Sequence, residues 1–461
     1  MNWDWLHSLL WVYPVLIGFG IFYLIFGLDD LFIDVVAWIN VQGPRELSPR
    51  MLKKMAMQKQ KRIAIIVPAW KEGQIIDRML LGNLQRIEYQ NYDFFVGVYP
   101  NDSETCNAVE KAAAIDARIH PVINCRPGPT SKGQILNYVV DQILEYETAH
   151  GVIFDALLMQ DSEDVIHPKT LPLVNVFLKK YDFIQVPVFS LDLNLFQLVG
   201  GTYVDEFSEH HTKDILVRSQ LNAAIPSAGV GTALSRALFI KVRERNKGSL
   251  LNENTVTEDY ELGVTAHALG FLAKFCCFYY QQNQKKEFIA TREYFPKKFM
   301  RSVRQKTRWT TGIALQGHRN LGWVGKLSNR YFLFRDRKGI LTNIATFIGY
   351  PIVFLAVLLQ LNGVEFPFRD GIFYYILFAN LFLMINRLFQ RALSVYRVYG
   401  AAPLLTLPLR WPIANLINCL ATVRALYQYL IALYTKKTIA WVKTEHELPE
   451  LFSGVPARPH P

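Results

Sequence analysis

Charge-free apolar stretches near both ends of the chain, flanking a middle of ordinary polarity, limit this sequence more than any other feature. No charged residue lies between Leu9 and Leu28 or between Ile340 and Leu361, and Ile372 to Leu383 is similarly apolar. The first two are long enough to cross a hydrocarbon core as helices. With 461 residues, 51% hydrophobic and 13% aromatic, the chain exceeds one ordinary domain and does not suit a purely soluble enzyme. A cleaved signal peptide is disfavoured. Met1 to His7 carries Asp4 and no Lys or Arg, and the sequence offers no small-residue cleavage site.

Basic residues set the expected orientation. Arg45, Arg50, Lys53, Lys54, Lys59, Lys61 and Arg62 follow the first span, opposed only by Glu46. The positive-inside rule therefore places residue 45 onward in the cytoplasm and the N-terminus outside. Between Leu28 and Asn40, Asp30 and Asp34 share a helix face, which reads as an amphipathic helix along the interface. Arg335, Arg337 and Lys338 precede the second apolar block, and Arg387, Arg391 and Arg397 follow the third. Those two blocks read as a hairpin out and back, joined by a short loop with Glu365, Arg369 and Asp370. Residues 401–434 are broken by Pro403, Pro408, Pro412, Arg410 and Arg424. They read either as a re-entrant or interfacial segment or as a pair of short spans. The net charge of +11 lies largely beside the spans and fits anionic lipid headgroups better than nucleic acid. The five cysteines are odd in number and lack a Cys-x-x-Cys spacing, which argues against a zinc site or disulfide framework and suits a reduced compartment. Three segments follow: an N-terminal transmembrane and interfacial helix over 1–40, a soluble domain over 41–335 with amphipathic interface helices towards its end, and C-terminal transmembrane or interfacial helices with a tail over 336–461.

The middle alternates between two periods. Short apolar runs at 63–67, 94–99, 122–124 and 154–159 read as strands, the first and second ended by Pro68 and Pro100. Helical patterns fall between them at 74–86, 105–116 and 131–146, the last with Ser131 as a candidate cap. This alternation predicts an α/β fold with a doubly wound, mostly parallel sheet. Ligands bind such sheets beyond the carboxyl ends of the strands, and Glu72, Asp102 and Asp161 each fall just past such an end.

Three clusters carry candidate chemistry. Asp161, Glu163 and Asp164 crowd three carboxylates into four residues. Their mutual repulsion calls for a cation, and Mg2+ or Mn2+ bridging a diphosphate suits oxygen ligands. The plainer alternative is an acidic helix start, with Pro168 opening the next helix. Thr257-Glu258-Asp259 offers a carboxylate, Asp259, able to take a proton from a sugar hydroxyl, with Glu258 positioning groups around it; a capping Thr followed by acids is the alternative. Gln305, Arg308 and Trp309 stand at i, i+3 and i+4 on one helix face. Arg308 can pair with a pyrophosphate and Trp309 can stack on a sugar, or the helix can simply lie on a membrane. Lys132 precedes a helix whose start favours anions, and Gly229-Val230-Gly231-Thr232 is a small-residue turn that a sugar can approach closely, with a plain turn as the simpler alternative.

These residues resemble the motifs of family 2 glycosyltransferases. Val67-Pro68-Ala69-Trp70-Lys71-Glu72 resembles their opening strand end, Asp102 their second uracil-contacting acid, Asp161-Ser162-Glu163 their Asp-x-Asp, Thr257-Glu258-Asp259 their base motif, and Gln305 to Trp309 the Gln-x-x-Arg-Trp of processive members. The likeness covers about residues 60–310 plus the membrane segments around them. Further segments, Gly27 to Val35, Arg126 to Lys132, Pro226 to Thr232 and Arg292 to Pro296, look like the membrane-bound bacteriophage adsorption protein B group. The resemblance implies a GT-A fold between transmembrane helices, in the bacterial inner membrane with the catalytic domain facing the cytoplasm. It implies a UDP-sugar donor held by Pro68, Glu72, Asp102, Lys132 and Asp161, and a metal held by Asp161 with Glu163. Glu163 stands where a second Asp is usual, so Asp164 is a rival ligand. Asp259 would be the base, and Glu258, Gln305, Arg308 and Trp309 would serve the reaction. The acceptor side would include Gly231, Thr232 and Trp309. The expected reaction is inverting transfer to a growing exported polysaccharide, with membrane lipid and an outer-membrane export component as partners and no nucleic acid. Transfer of one sugar to a polyprenyl phosphate and a non-catalytic membrane scaffold or transport subunit are the alternatives. Longer members carry a cytoplasmic domain responsive to a cyclic dinucleotide; by this reading such control needs another subunit or is absent.

Overall fold

Ile63 to Val67 is apolar on both faces and becomes a strand only because both faces are covered. In the computed structural model, which describes residues 11–40, 43–282, 285–364, 371–436 and 448–454, this run is an interior strand of the main sheet. Ile63, Ile65 and Val67 enter one hydrophobic core, while Ala64 and Ile66 enter the other. The Met1–His7 flank, the charged part of the loop after Asn362 and the tail around Trp441 lie outside the described residues.

The described residues open with helix α1 (Val12–Asn40), then a two-residue strand β1 (Arg45–Glu46) and helix α2 (Pro49–Met57), capped by Ser48. The alternating part follows as β2 (Ile63–Pro68), α3 (Ile76–Arg86), β3 (Tyr92–Val98), α4 (Ser103–Ile115), β4 (Ile119–Ile123), α5 (Lys132–His150) and β5 (Ala156–Met159). Ser131 does cap α5, accepting from Gln134 N at 3.2 Å. Next come α6 (Thr170–Phe177), β6 (Phe183–Gln185), β7 (Val188–Ser190) and α7 (Leu198–Glu209). A π-helical turn, His210–Asp214, leads from α7 into α8 (Ile215–Gln220). Then follow β8 (Thr232–Ser235), α9 (Arg236–Arg245), α10 (Glu258–Ala268), β9 (Ala273–Phe275), β10 (Phe278–Gln282), β11 (Lys285–Phe288) and β12 (Thr291–Glu293). The domain ends with α11 (Phe299–Trp309), a second π-helical turn, Thr310–Gln316, and α12 (Gly317–Leu321).

Among the described residues, seven strands form the main sheet in the order β4-β3-β2-β5-β8-β6-β9. The β2 pairings with β3 and β5 are parallel, as is β3 with β4. The β8 strand runs antiparallel to both β5 and β6. The expected doubly wound sheet is therefore present with one reversed strand, and the carboxyl ends of β2, β3 and β5 open on the same side.

Among the described residues, four helices are long and apolar enough to cross a membrane: α1, α13 (Leu327–Leu361), α14 (Gly371–Tyr399) and the segment from Ala402 that contains α15 (Leu407–Thr435). The region read as broken by prolines is thus one helix after a single 3-10 turn, with Pro408 in its first turn and Pro412 carried inside the helix. A second expectation is also corrected. Residues 28–40 do not form a separate interfacial helix; they continue α1 without a break. Their acids face protein cations rather than headgroups. Asp29 pairs with Lys338 at 2.6 Å and with Arg335, and Asp30 pairs with Lys338 at 2.6 Å and with Arg387. Asp34 meets Lys213 at 2.6 Å. Asp34 is buried and Asp29 and Asp30 are half-buried; carboxylates withdrawn from water persist when cations meet them, and these pairs tie α1 to α13, α14 and the first π-helical turn.

Candidate active site

The end of β2 is held in an unusual bend. Lys71 has φ +57, outside the range most side chains adopt. Asp102 stabilises it by accepting from Lys71 N at 2.5 Å, and Thr105 Oγ1 accepts from Glu72 N at 2.8 Å. Asp102 also caps α4 at Thr105 N. The bend presents Trp70, whose ring meets Tyr99 edge-on at 5.1 Å. Tyr99 OH in turn bonds Thr130 at 2.7 Å. Gly128 lies against both rings, and a Cβ there would collide with them.

The end of β5 leads into the acidic turn. Asp164 is fully buried, and its Oδ2 accepts from Asp161 N at 2.7 Å, closing the turn on itself. Its other oxygen has no partner. Burial first, then Glu293, Asp161 and Glu163, hold its pKa well above the ordinary value. Asp161 points the other way, with Lys132 Nζ 2.5 Å from its Oδ1. Burial works against the charge on Lys132, but Asp161, Glu258 and Asp259 outweigh it and hold the ammonium protonated. The next helix, α6, begins only at Thr170, so these acids are not a helix start.

Thr257, Glu258 and Asp259 stand at the N-terminus of α10, but Thr257 makes no capping bond. Its hydroxyl is buried without a partner, because Gly312 of the second π-helical turn presses against it. Asp259 Oδ1 accepts from Tyr260 N at 2.8 Å, which leaves Oδ2 against Gly229, 229 having φ +79. Burial raises both carboxyls. Glu258 is pushed up to about 7, by burial and then by Asp259. Asp259 is raised by burial, with Lys132, the Tyr260 amide and Arg308 opposing.

Helix α11 completes the enclosure. Gln305, Arg308 and Trp309 share the face turned inward, while Lys306 on the other side pairs with Glu206 of α7. The indole packs beside Tyr203 and Phe207, each with ring centres 6.0 Å away. The π-helical turn that follows widens the helix at this point, a feature common where helices carry functional residues.

One cavity of about 130 Å3 gathers Pro68, Glu72, Lys132, Asp161, Glu163, Glu258, Asp259, Gln305, Arg308 and Trp309. Asp102, Asp164, Gly231 and Thr232 do not line it. Asp102 acts one step back, on the bend. Asp164 is turned into the protein. Thr232 is fully buried, its hydroxyl bonded to Gln185 at 2.6 Å and Ser227 at 2.7 Å, and the open side of Gly231 meets Val186 and Thr291. Sequence reasoning assigned no role to Trp70, Tyr99, Thr130 and Glu293, which also line the cavity. Trp70, Thr130 and Glu293 lay inside segments already singled out, and Tyr99 at a strand end. The lining holds six carboxylates, Glu72, Asp161, Glu163, Glu258, Asp259 and Glu293, against the two cations Lys132 and Arg308. Among the described residues no three His, Cys, Asp or Glu side chains are gathered to hold a metal ion by themselves. A divalent cation would fit this excess of oxygen ligands only by sharing its coordination with an anionic ligand.

A second cavity, about 520 Å3, shares Ala228, Thr257, Asp259 and Trp309 with the first. It extends from Asp259 to side chains of all four long apolar helices, including Asp34, Arg335, Arg391 and Asn418.

A sequence model of the family described as "Glycosyltransferase like family 2" matches residues 60–312. The chain is 36% identical to the bacteriophage adsorption protein B of Escherichia coli K12 and to the bacteriophage N4 adsorption protein B of Escherichia coli O157:H7, each over 97% of this chain and 64% of theirs. It therefore spans just under two thirds of those relatives. Among solved structures it is similar in fold to the mannosyltransferase PcManGT of Pyrobaculum calidifontis, solved in complex with GDP-Man and Mn2+. The TM-score is 0.52 at 13% identity, covering 92% of this chain and 99% of that one.

Proposed function

This chain belongs to the glycosyltransferase-like family 2, and from that premise we propose that it is a multi-pass, inner-membrane, inverting glycosyltransferase moving a sugar from a UDP-sugar to a growing exported polysaccharide. The observation that carries the reading is the single cavity joining the ends of β2 and β5, the start of α5, the start of α10 and the inner face of α11. The catalytic domain, residues 41–335, faces the cytoplasm in this reading.

Trp70 and Tyr99 offer aromatic faces for the nucleobase, with Asp102 holding their loop. Asp161 and Glu163 would hold Mg2+ or Mn2+ together with the donor diphosphate. The ion would neutralise charge developing on the leaving group. Lys132 and Arg308 add fixed positive charge beside it. The acceptor hydroxyl gives its proton to Asp259, at the Oδ2 not engaged by Tyr260. The acceptor oxygen bonds the anomeric carbon as the bond to the diphosphate breaks, and UDP leaves. Glu258, buried beside Asp259, keeps that pair basic enough to act above the ordinary carboxylate range. Trp309, present in both cavities, is placed to stack on the acceptor sugar, and the larger cavity offers it a way to the membrane helices.

The test is incorporation of radiolabelled UDP-sugars in membranes carrying the wild type or Asp259→Asn. Polymer formed by the wild type and lost in the variant is the expected result. Undiminished polymer in Asp259→Asn removes the base assignment, and a single lipid-linked sugar as product replaces the polysaccharide acceptor with a polyprenyl phosphate.

A further inference from the structure

We propose that Asn83, which touches neither cavity, is a positioning residue for the donor-side acids, and that Phe452 locks it in place. The inference rests on the reading of Asp161 and Glu163 given above. Asn83 stands on α3 and is fully buried. Its Nδ2 donates to Asp164 O at 2.8 Å and to Met79 O at 3.0 Å, and its Oδ1 accepts from Ile166 N at 2.9 Å. One carboxamide thus grips the main chain on both sides of Val165. On its other side Val165 is bridged to β12, donating to Arg292 O at 2.8 Å and accepting from Arg292 N at 3.1 Å. The exit of the acidic turn is therefore clamped from two directions. Because the turn closes on itself through Asp164 and Asp161, moving its exit moves Asp161 and Glu163 with it.

The neighbouring residue explains what keeps Asn83 still. A Cβ at Gly82 would collide with the Phe452 ring. Phe452 is fully buried and comes from a 3-10 turn, Glu450–Phe452, reached only after the last apolar helix. It joins the same hydrophobic core as β2 and α3. The segment that follows the membrane helices is thereby fastened to the helical turn that holds the acidic turn. Whatever pulls on that segment acts on the donor side of the site through two contacts, Phe452 on Gly82 and Asn83 on Asp164.

The test uses the full chain in detergent or membranes, with Asn83→Asp, which keeps size and the bond from Ile166 but loses the donor to Asp164, and Phe452→Ala, with Phe452→Leu as the conservative control. Hydrogen–deuterium exchange is read at the peptide covering 160–168 and at β3. Faster exchange at 160–168 with β3 unchanged is expected for Asn83→Asp and Phe452→Ala, with Phe452→Leu close to wild type. The donor KM is expected to rise roughly tenfold in Asn83→Asp, with a smaller change in kcat. Unchanged exchange at 160–168 in both variants overturns the proposal, as does a KM equal to wild type in an active Asn83→Asp enzyme. If exchange responds but the wild type turns over no UDP-sugar, the positioning stands and the functional reading fails.

Discussion

Lys132 and Asp161 meet at 2.5 Å, joining the first turn of α5 to the end of β5. The contact spans a distance in sequence that no local pattern encodes, and it places a protonated ammonium between the acidic turn and the Glu258–Asp259 pair. Lys132→Gln should therefore leave three acidic groups less screened and weaken donor binding. A donor KM raised about tenfold, equivalent to about 1.4 kcal/mol, is expected in nucleotide-release assays. An unchanged KM would show that the ammonium serves only packing.

Gly229 lies against Asp259 Oδ2 with φ +79. Gly229→Ala adds both backbone strain, roughly 1–2 kcal/mol, and a methyl in the space of that oxygen. Because a general base contributes about 100-fold or more to rate, kcat should fall by that order while the protein remains folded. Full activity in a folded Gly229→Ala enzyme would show that Oδ2 does not accept the proton.

Burial sets the pH response. Glu258 moves from 4.5 to about 7, and Asp259 shifts in the same direction. A base works unprotonated, so kcat/KM should rise with pH along a limb displaced above the ordinary carboxylate range, because burial raises Asp259. The Glu258 shift favours the folded state at low pH: this stabilisation is complete below 4.5 and fades as pH rises through about 7. A rate limb at the ordinary carboxylate position would exclude the buried Asp259 as the base.

Lys213 is 2.6 Å from Asp34 and 2.9 Å from Glu209, all three being buried. Lys213→Met breaks both pairs, leaving Glu209 with Arg391 at 2.9 Å and Asp34 with only the Asn386 amide at 2.7 Å; breaking a buried pair costs up to about 3–5 kcal/mol. Thermal unfolding of the detergent-extracted protein should occur at clearly lower temperature. The double variant Lys213→Met with Asp34→Asn should recover part of the loss; no recovery would show that the two groups are not coupled.

Particular residues show how far the sequence reached. The β2 run and its Pro68 stop were legible because a strand apolar on both faces has one environment that suits it. Gln305, Arg308 and Trp309 were legible as a face because helical spacing alone brings them together. Asp30 and Asp34 read as one face of an interfacial helix, since the cations that meet them come from residues 213, 335, 338 and 387. Gly231 and Thr232 were read as an open turn, yet the Gln185 side chain fills the place beside them. Thr257 has a capping residue's identity and position without its bond, because Gly312 approaches from another helix.

The sequence by itself determined the alternating sheet, the apolar helices, the family and the residue types available for chemistry. All of these depend on short-range periodicity or on motifs whose spacing is local. Only the tertiary structure decided which carboxylate faces the cavity and which is buried, that Lys132 stands between the acidic turn and the Glu258–Asp259 pair, and that Asn83 grips the acidic turn. Those outcomes depend on contacts between residues far apart in the chain, where burial and the nearest charge, rather than residue type, set what each group can do.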